Sequence, residues 1–433
     1  MGDGSRLGIT FRLLYNLPGP AKLALPENVL RVALLSLIAP VGPDAGAQAS
    51  AMPRGMMRLG GHTLARHQLA IALSLGCDRV IVVANGALDG LLPLQHAAES
   101  AGALFHRVTG AHGVMGLVSA QDEVIALGDG VLAWPDLAHE LLATPAVLVQ
   151  PVEQGVAAGF ERLDFNYASA GALRFPGRLV ERLGELPGDV ETFACLQRIA
   201  LQGGVPQRSV PDDVIAQGRW TLLHNEQEVQ AVEPGWISHH LFEDGLRSPS
   251  EWLAGQAVRL AGPALLEAGS GGTVVAMAAG VLAALGMVAG GFGAITLGLM
   301  LVAAAWLGFA CASLFGRFER RSLRLPRPRV APVVTYRWIV DGVLLALLGL
   351  AHGQNGYIAG LFAPLMLLGL IRLVPVLLPI RIAAWIEDRA LFALMLGLLS
   401  MLDWLRNGVA VFAVALLLSG LIMVGRQNRL TPA

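Results

Sequence analysis

The chain has 433 residues, 54% of them hydrophobic and only 15% charged, with a mean hydropathy of +0.58. That is too apolar for an ordinary soluble protein, and a formal net charge of −1 excludes a global field able to steer a nucleic acid. Lys22 is the only lysine, which excludes lysine chemistry elsewhere, and the isolated Cys77, Cys195 and Cys311 exclude a disulfide framework or a zinc ribbon.

Residues 1–28, with Pro18, Gly19, Pro20 and Pro26, read as a lead-in and contain no apolar core long enough for a signal peptide. The front half is therefore expected in the cytoplasm of a bacterium-like cell. Val29–Ala39 is a near-continuous apolar run, as a strand buried on both faces requires. A Gly/Pro/Ala-rich loop, Pro40–Gly61, follows. A helical pattern over Thr63–Leu75 stops at Gly76, and Val80–Ala84 is the next strand. Helices are then expected at Leu91–Ala101 and Leu137–Ala143, and strands at Ala103–Val108, Val124–Leu127 and Ala146–Val149. Such alternation predicts an α/β, Rossmann-like domain with helices on both faces of the sheet. Ligands on these sheets sit at the carboxyl ends of the strands, which places Pro40–Gly61 and Asp129 on one rim. Asp129, between Gly128 and Gly130, reads equally as a turn residue or a relic metal ligand. Asp212-Asp213 after Pro211 reads as a helix start. The histidines 62, 67, 106, 112, 239 and 240 lack helical i, i+4 spacing beside an acid, so solvated or capping roles are expected.

Three segments, Met57–Asn85, Asp122–Leu137 and Gly218–Glu233, resemble in order the start, metal-aspartate strand and closing segment of sugar-phosphate nucleotidyltransferases. The resemblance implies nucleotide binding with Mg²⁺ at Asp129. The chain departs from that pattern in several places. Gly42 and Gly46 lack the spacing of the family's phosphate loop, and Pro53-Arg54 replaces Pro-Lys, leaving Arg54 as the phosphate-binding candidate. Leu222 or Leu223 stands where a second aspartate is expected, and one carboxylate holds Mg²⁺ poorly.

A junction, Glu233–Pro249, leads to Ser250–Ala268, read as an interfacial amphipathic helix with Trp252, Leu253, Val258 and Leu260 toward lipid. Six spans are then expected, at about 273–291, 292–315, 332–351, 357–378, 390–405 and 408–424, the fifth being short. Arginines gather on one side: 317–329, Arg381 with Arg389, and Arg426 with Arg429. The positive-inside rule makes that side, and both ends of the membrane domain, cytoplasmic, giving a multi-pass protein of the bacterial inner membrane.

The order of a nucleotidyltransferase-like domain (1–240), a linker and interfacial helix (241–270) and a six-helix membrane domain (271–433) resembles the bifunctional inositol-phosphate cytidylyltransferase and CDP-alcohol phosphotransferase proteins. That family implies divalent metals, Mg²⁺ or Mn²⁺, held by aspartates of D-x2-D-G-x2-A-R-x8-G-x3-D-x3-D. It also implies a CDP-alcohol, a lipid acceptor and a homodimer formed through the membrane domain. Laid without gaps, the motif falls on Gly316, Glu319, Arg320, Leu323, Arg324, Val333, Arg337 and Asp341. Only Arg324 and Asp341 match. Glu319 and Asp341 are the relic catalytic candidates, and Arg324, Arg337 and Arg372 the substrate-binding ones. A charge in an apolar span costs about 2.5–3.5 kcal/mol on insertion scales, so Asp341 is expected to pair with Arg337, one turn away, or with Arg372. The implied function is lipid-headgroup synthesis without standard metal catalysis. An active divergent transferase, and a transporter or structural membrane protein, are the alternatives.

Overall fold

Seven residues, Arg31–Leu37 (β1), form the strand on which the front half is built. Val32 and Leu34 face one hydrophobic layer and Ala33, Leu35 and Leu37 the other. That alternation is why the run contains no polar face. The computed structural model describes residues 29–42, 52–86, 88, 90–187, 190–242, 248–267, 271–326, 328–352 and 357–430. Gly46, Arg327 and the lead-in 1–28 lie outside the described residues, as do the side chains of Leu260, Arg381, Arg426 and Arg429.

The chain divides into two compact units: residues up to 58 with 63–229, and residues 59–62 with those from 230 onward. In chain order β1 is followed by the short pair β2 (Arg58–Leu59) and β3 (His62–Thr63), which straddle the division, and then in the first unit by α1 (Leu64–Ser74), β4 (Arg79–Ala84), α2 (Leu91–Ser100) and β5 (Leu104–Val108). Next come α3 (His112–Met115), β6 (Glu123–Leu127), β7 (Val131–Ala133), α4 (Pro135–Leu141), β8 (Ala146–Pro151) and α5 (Val152–Ala157). The unit closes with β9 (Tyr167–Pro176), α6 (Thr192–Gln202), β10 (Gln207–Ser209), α7 (Asp212–Ala216) and β11 (Trp220–Leu222).

Seven strands form one sheet in the order β10-β8-β9-β6-β1-β4-β5. The pairs β1–β4, β1–β6, β4–β5 and β10–β8 are parallel, and β9 runs antiparallel to both β6 and β8. The expected α/β class, strands and helices are present to within one to three residues at their ends. The antiparallel β9 lies outside the sequence expectation. Its ASAGAL core offers small residues in place of the branched run that marks a buried strand.

The second unit is helical: α8 (Glu226–Phe242), α9 (Pro249–Glu267), α10 (Gly271–Gly291), α11 (Ile295–Ser322), α12 (Pro332–His352), α13 (Tyr357–Leu373), α14 (Ile380–Ile386), α15 (Arg389–Met401) and α16 (Leu405–Leu430). Among the described residues, five stretches are long and apolar enough to cross a bilayer: 271–291, 295–322, 332–352, 360–377 and 405–424. The fifth expected span, 390–405, already read as short, is not among them. The helix α15 has 13 residues, about 20 Å at 1.5 Å per residue, against a hydrocarbon core of about 30 Å.

The first part of the Arg-rich segment is helix. Arg317, Arg320 and Arg321 stand on the last turns of α11, and only 323–331 connects it to α12. The helices α10 and α11 cross closely at Gly286 and Gly298, where an added Cβ at either would lie under 3 Å from the other's carbonyl oxygen. Along α9, Trp252 and Leu253 are exposed as an interfacial face requires, whereas Val258 is buried, contrary to the sequence expectation.

Candidate functional site

Both acids read as relic ligands are buried, and both have partners that account for their oxygens. Asp129 follows β6 in the turn Gly128-Asp129-Gly130. Its Oδ2 accepts from the Ala39 amide at 2.7 Å and its Oδ1 from the Gly55 amide at 2.5 Å. The carboxylate thus joins the two feet of the 40–53 loop, on the rim where the parallel strands end. Burial pushes its pKa up to about 7, against the lowering effect of those amide bonds and of Arg54.

Gly55 sits so close that a Cβ there would fall 2.3 Å from Leu37 Cδ2 and 2.9 Å from Asp129 Oδ1. Arg54 donates its Nε to the Pro40 carbonyl at 3.1 Å, committing one N–H to the loop itself. The closing strand β11 pairs antiparallel with β7, and Leu223 donates its amide to Gly130 O at 2.9 Å. The chain therefore returns beside Asp129, but it brings the buried leucines 222 and 223 and no carboxylate.

In the helical unit, Asp341 on α12 is only 6% exposed. Its Oδ1 accepts from Arg389 Nε at 2.9 Å and its Oδ2 from Arg389 Nη2 at 3.1 Å, a two-pronged fork. Oδ2 also meets Arg372 Nε at 2.9 Å, with Arg372 Nη2 at 2.8 Å. The Arg372 guanidinium stacks on the Trp338 ring, 3.6 Å from its centroid. Arg389 further donates to the Glu387 carbonyl at 2.9 Å.

The expected Asp341–Arg337 pairing is corrected: Arg337 Nη2 bonds Glu387 Oε2 at 2.8 Å. Arg389, expected as a cytoplasmic loop charge, is 1% exposed and holds Asp341. Asp388 caps α15 through the amides of Ala390 and Leu391 and accepts from the Ser250 amide at 2.7 Å, tying α9 to α15. Three acids (341, 387, 388) and three arginines (337, 372, 389) thus make a neutral cluster.

Four of the eight motif positions, Gly316, Glu319, Arg320 and Val333, line a separate cavity of about 480 Å³. Arg324 is not on its wall; it follows the last turn of α11 in a left-handed conformation, φ 49°. Glu319 lies 3.9 Å from His62, and Arg317 pairs with Glu251 at 3.0 Å. Sequence reasoning assigned no role to Glu251 or Glu387 and read Arg317 and Arg320 only as cytoplasmic charges. The Arg-rich run from Arg317 to Arg329 was the available signal for the last two.

The donor sets do not fit a divalent metal. An ion at Asp341 would have to displace two guanidinium groups, and at Asp129 the returning chain brings leucines where a second carboxylate would be needed to hold Mg²⁺ or Mn²⁺. Among the described residues no group of three potential metal-ligating side chains is gathered.

No family model and no curated protein matches the sequence. Among solved structures, the inositol-1-phosphate CTP transferase from T. maritima is similar at 13% identity and TM-score 0.33, over 46% of this chain and 91% of that one. The UDP-glucose pyrophosphorylase from Acinetobacter baumanii is similar at 12% identity and TM-score 0.35, over 49% and 95%.

Proposed function

We propose that the chain is a multi-pass protein of the bacterial cytoplasmic membrane with both termini cytoplasmic. In this reading it is built like the bifunctional cytidylyltransferase/CDP-alcohol phosphotransferases and serves phospholipid or sphingolipid headgroup synthesis without metal-dependent catalysis. Membrane lipids, and a CDP-alcohol or nucleotide, are its ligand classes, and a homodimer through the helical unit is its assembly.

One observation carries the proposal: Asp341, the last of the motif acids, is saturated by Arg372 and Arg389. A metal entering there would have to displace two cations from a buried carboxylate. The loss of charge elsewhere in the motif, at Gly316 and Arg337, supports the same reading. A working transferase using Glu319, Arg324 and Asp341 is the second reading, favoured by the open cavity at Glu319.

The test uses the full chain in detergent with Mg²⁺ or Mn²⁺, a CDP-alcohol and an inositol or lipid acceptor. No CMP release is expected. Metal-dependent release that disappears in Asp341→Asn would reverse the ranking. For the front half, no pyrophosphate release from CTP is expected; release dependent on Asp129 would contradict the proposal.

A further inference from the structure

The helix α15 is too short to cross a bilayer by itself, and both of its ends are pinned. Near its C-terminus Ser400 Oγ accepts from Thr296 Oγ1, in the first turn of α11, at 2.9 Å. At its N-terminus Asp388 accepts from the Ser250 amide, and Trp306 Nε1 of α11 donates to Ser250 Oγ at 3.1 Å. From Thr296 to Trp306 α11 rises about 15 Å. Residues 307–322 carry α11 about 24 Å beyond the level at which α15 begins, toward its arginine end.

The short helix α14 continues in that direction. Read back from Arg389, the partners on α12 step toward its N-terminus. Arg389 holds Asp341, Glu387 bonds Arg337, and Ala384 shares a cavity of about 150 Å³ with Val333 and Tyr336. Helical spacing puts Ile382 and Trp385 on the side of α14 away from Ala384 and Glu387. They are 50% and 58% exposed, and on α15 Leu391, Leu394 and Leu398 are exposed as well.

The break between the two helices leaves nothing for water to satisfy. Glu387 donates its amide to the Ala383 carbonyl at 2.9 Å, and its own carbonyl accepts from Arg389 Nη1. Asp388 donates its amide to the Trp385 carbonyl at 3.3 Å, and its carbonyl accepts from the Phe392 amide at 3.1 Å. Both side-chain carboxylates have partners too, Arg337 for Glu387 and three amides for Asp388. A turn on the surface can leave such groups to water, whereas a helix interrupted inside a bilayer must bond them to protein.

We propose, on the reading of the helical unit as a membrane domain, that α14 and α15 form one interrupted crossing whose Ile382–Trp385 face meets lipid acyl chains. Seven residues of α14 add about 10 Å to the about 20 Å of α15, matching a hydrocarbon core of about 30 Å. Arg381 then falls at the cytoplasmic boundary, and the Asp341–Arg389 fork lies about 10 Å inside it. The course of α12 gives a similar depth, because residues 332–340 precede Asp341 with about 14 Å of helix. The cavity side of α14 keeps the Arg337–Glu387 pair out of lipid.

Tryptophan fluorescence of the full chain in liposomes of chain-brominated phosphatidylcholine tests this, with aqueous acrylamide as a second quencher. The signal of Trp385 is the difference between the unaltered chain and Trp385→Phe. Bromine in the acyl chains is expected to remove most of that signal, and acrylamide to leave it nearly intact. Ile382→Trp, with Trp385 kept, is expected to add a second bromine-quenched signal, so the outcome does not hang on one variant.

Quenching of Trp385 by acrylamide alone would put α14 in water, and quenching by both agents would put it on the surface of a thinned bilayer. Quenching by neither would mean that protein covers the face. Each of these overturns the interrupted crossing in lipid. If bromine quenched no tryptophan of the chain, the membrane reading itself would fail. Bromine quenching of the exposed Trp338 and Trp404 without Trp385 sinks the present proposal alone.

Discussion

Asp129 in the α/β unit and Asp341 in the helical unit stand where the sequence resemblance calls for metal ligands, and each is held by other chemistry. Asp129 is held by two backbone amides, Asp341 by two guanidinium groups. Amides are dipoles and leave a buried carboxylate with its charge uncompensated, so burial raises its pKa to about 7. Arginines bring full countercharge, which lets an ionised carboxylate sit at the edge of a membrane span. The first arrangement stays responsive to protons, while the second depends on every member of the cluster being present.

The largest effect is therefore expected at Asp341. Asp341→Asn leaves Arg389, 1% exposed, without its countercharge. Breaking a buried pair from one side costs about 3–5 kcal/mol, and the thermal midpoint in detergent should fall accordingly. Arg389→Met should fall similarly. The double variant should recover much of the loss, because no uncompensated charge remains from that pair. Additive losses would show that the pair is not the stabilising unit.

Next in size is the loop clasp. In Asp129→Asn only one oxygen remains for two amide donors, and one buried donor loses its acceptor, at about 1–3 kcal/mol. Gly55→Ala forces a methyl against Leu37 and Asp129 and should cost a similar amount, about 1–3 kcal/mol.

The pH dependence separates the two lesions. Burial holds the folded pKa of Asp129 at about 7 against an ordinary aspartate value of 3.8, so the folded chain binds the extra proton between those values. Its contribution is fully present below about pH 4 and is lost as pH rises through about 7. Asp129→Asn should flatten that slope in urea titrations of the full chain. A slope unchanged by the substitution would mean that another group causes it.

The sequence made the contrast half legible. The apolar runs at Val29–Ala39 and Val80–Ala84 announced β1 and β4, and the strand-end rule placed Asp129 beside the loop after β1. Asp341 announced itself as an acid in an apolar segment, and Arg372 was named as a partner. Arg389 was not, because a positive charge at a span boundary has a sufficient explanation in membrane topology. Arg337 was matched to Asp341 from i, i+4 spacing, a local rule that gives neighbours on one helix. Arg389, 48 residues away, and Arg372 fill both carboxylate oxygens instead. Likewise β9 is held by pairing on both edges, information carried by β6 and β8 and absent from its own small residues.

The smallest expected effect is at the Arg337–Glu387 pair, the solvent-facing member of the charged cluster. Its side chains are 30% and 32% exposed, and the pair is joined through a single 2.8 Å contact. Water screens such a pair, and ordering two long side chains offsets most of the attraction. Arg337→Met and Glu387→Gln should each cost about 0.2–1 kcal/mol, with the loss shrinking further in high salt. The Glu387 carbonyl, which accepts from Arg389, is unaffected by changing its side chain, so the Asp341 fork should survive both variants. If Arg337→Met instead lowered the thermal midpoint as far as Asp341→Asn, the six charges would form one cooperative network. The distinction between a saturated buried carboxylate and a screened surface pair would then fail.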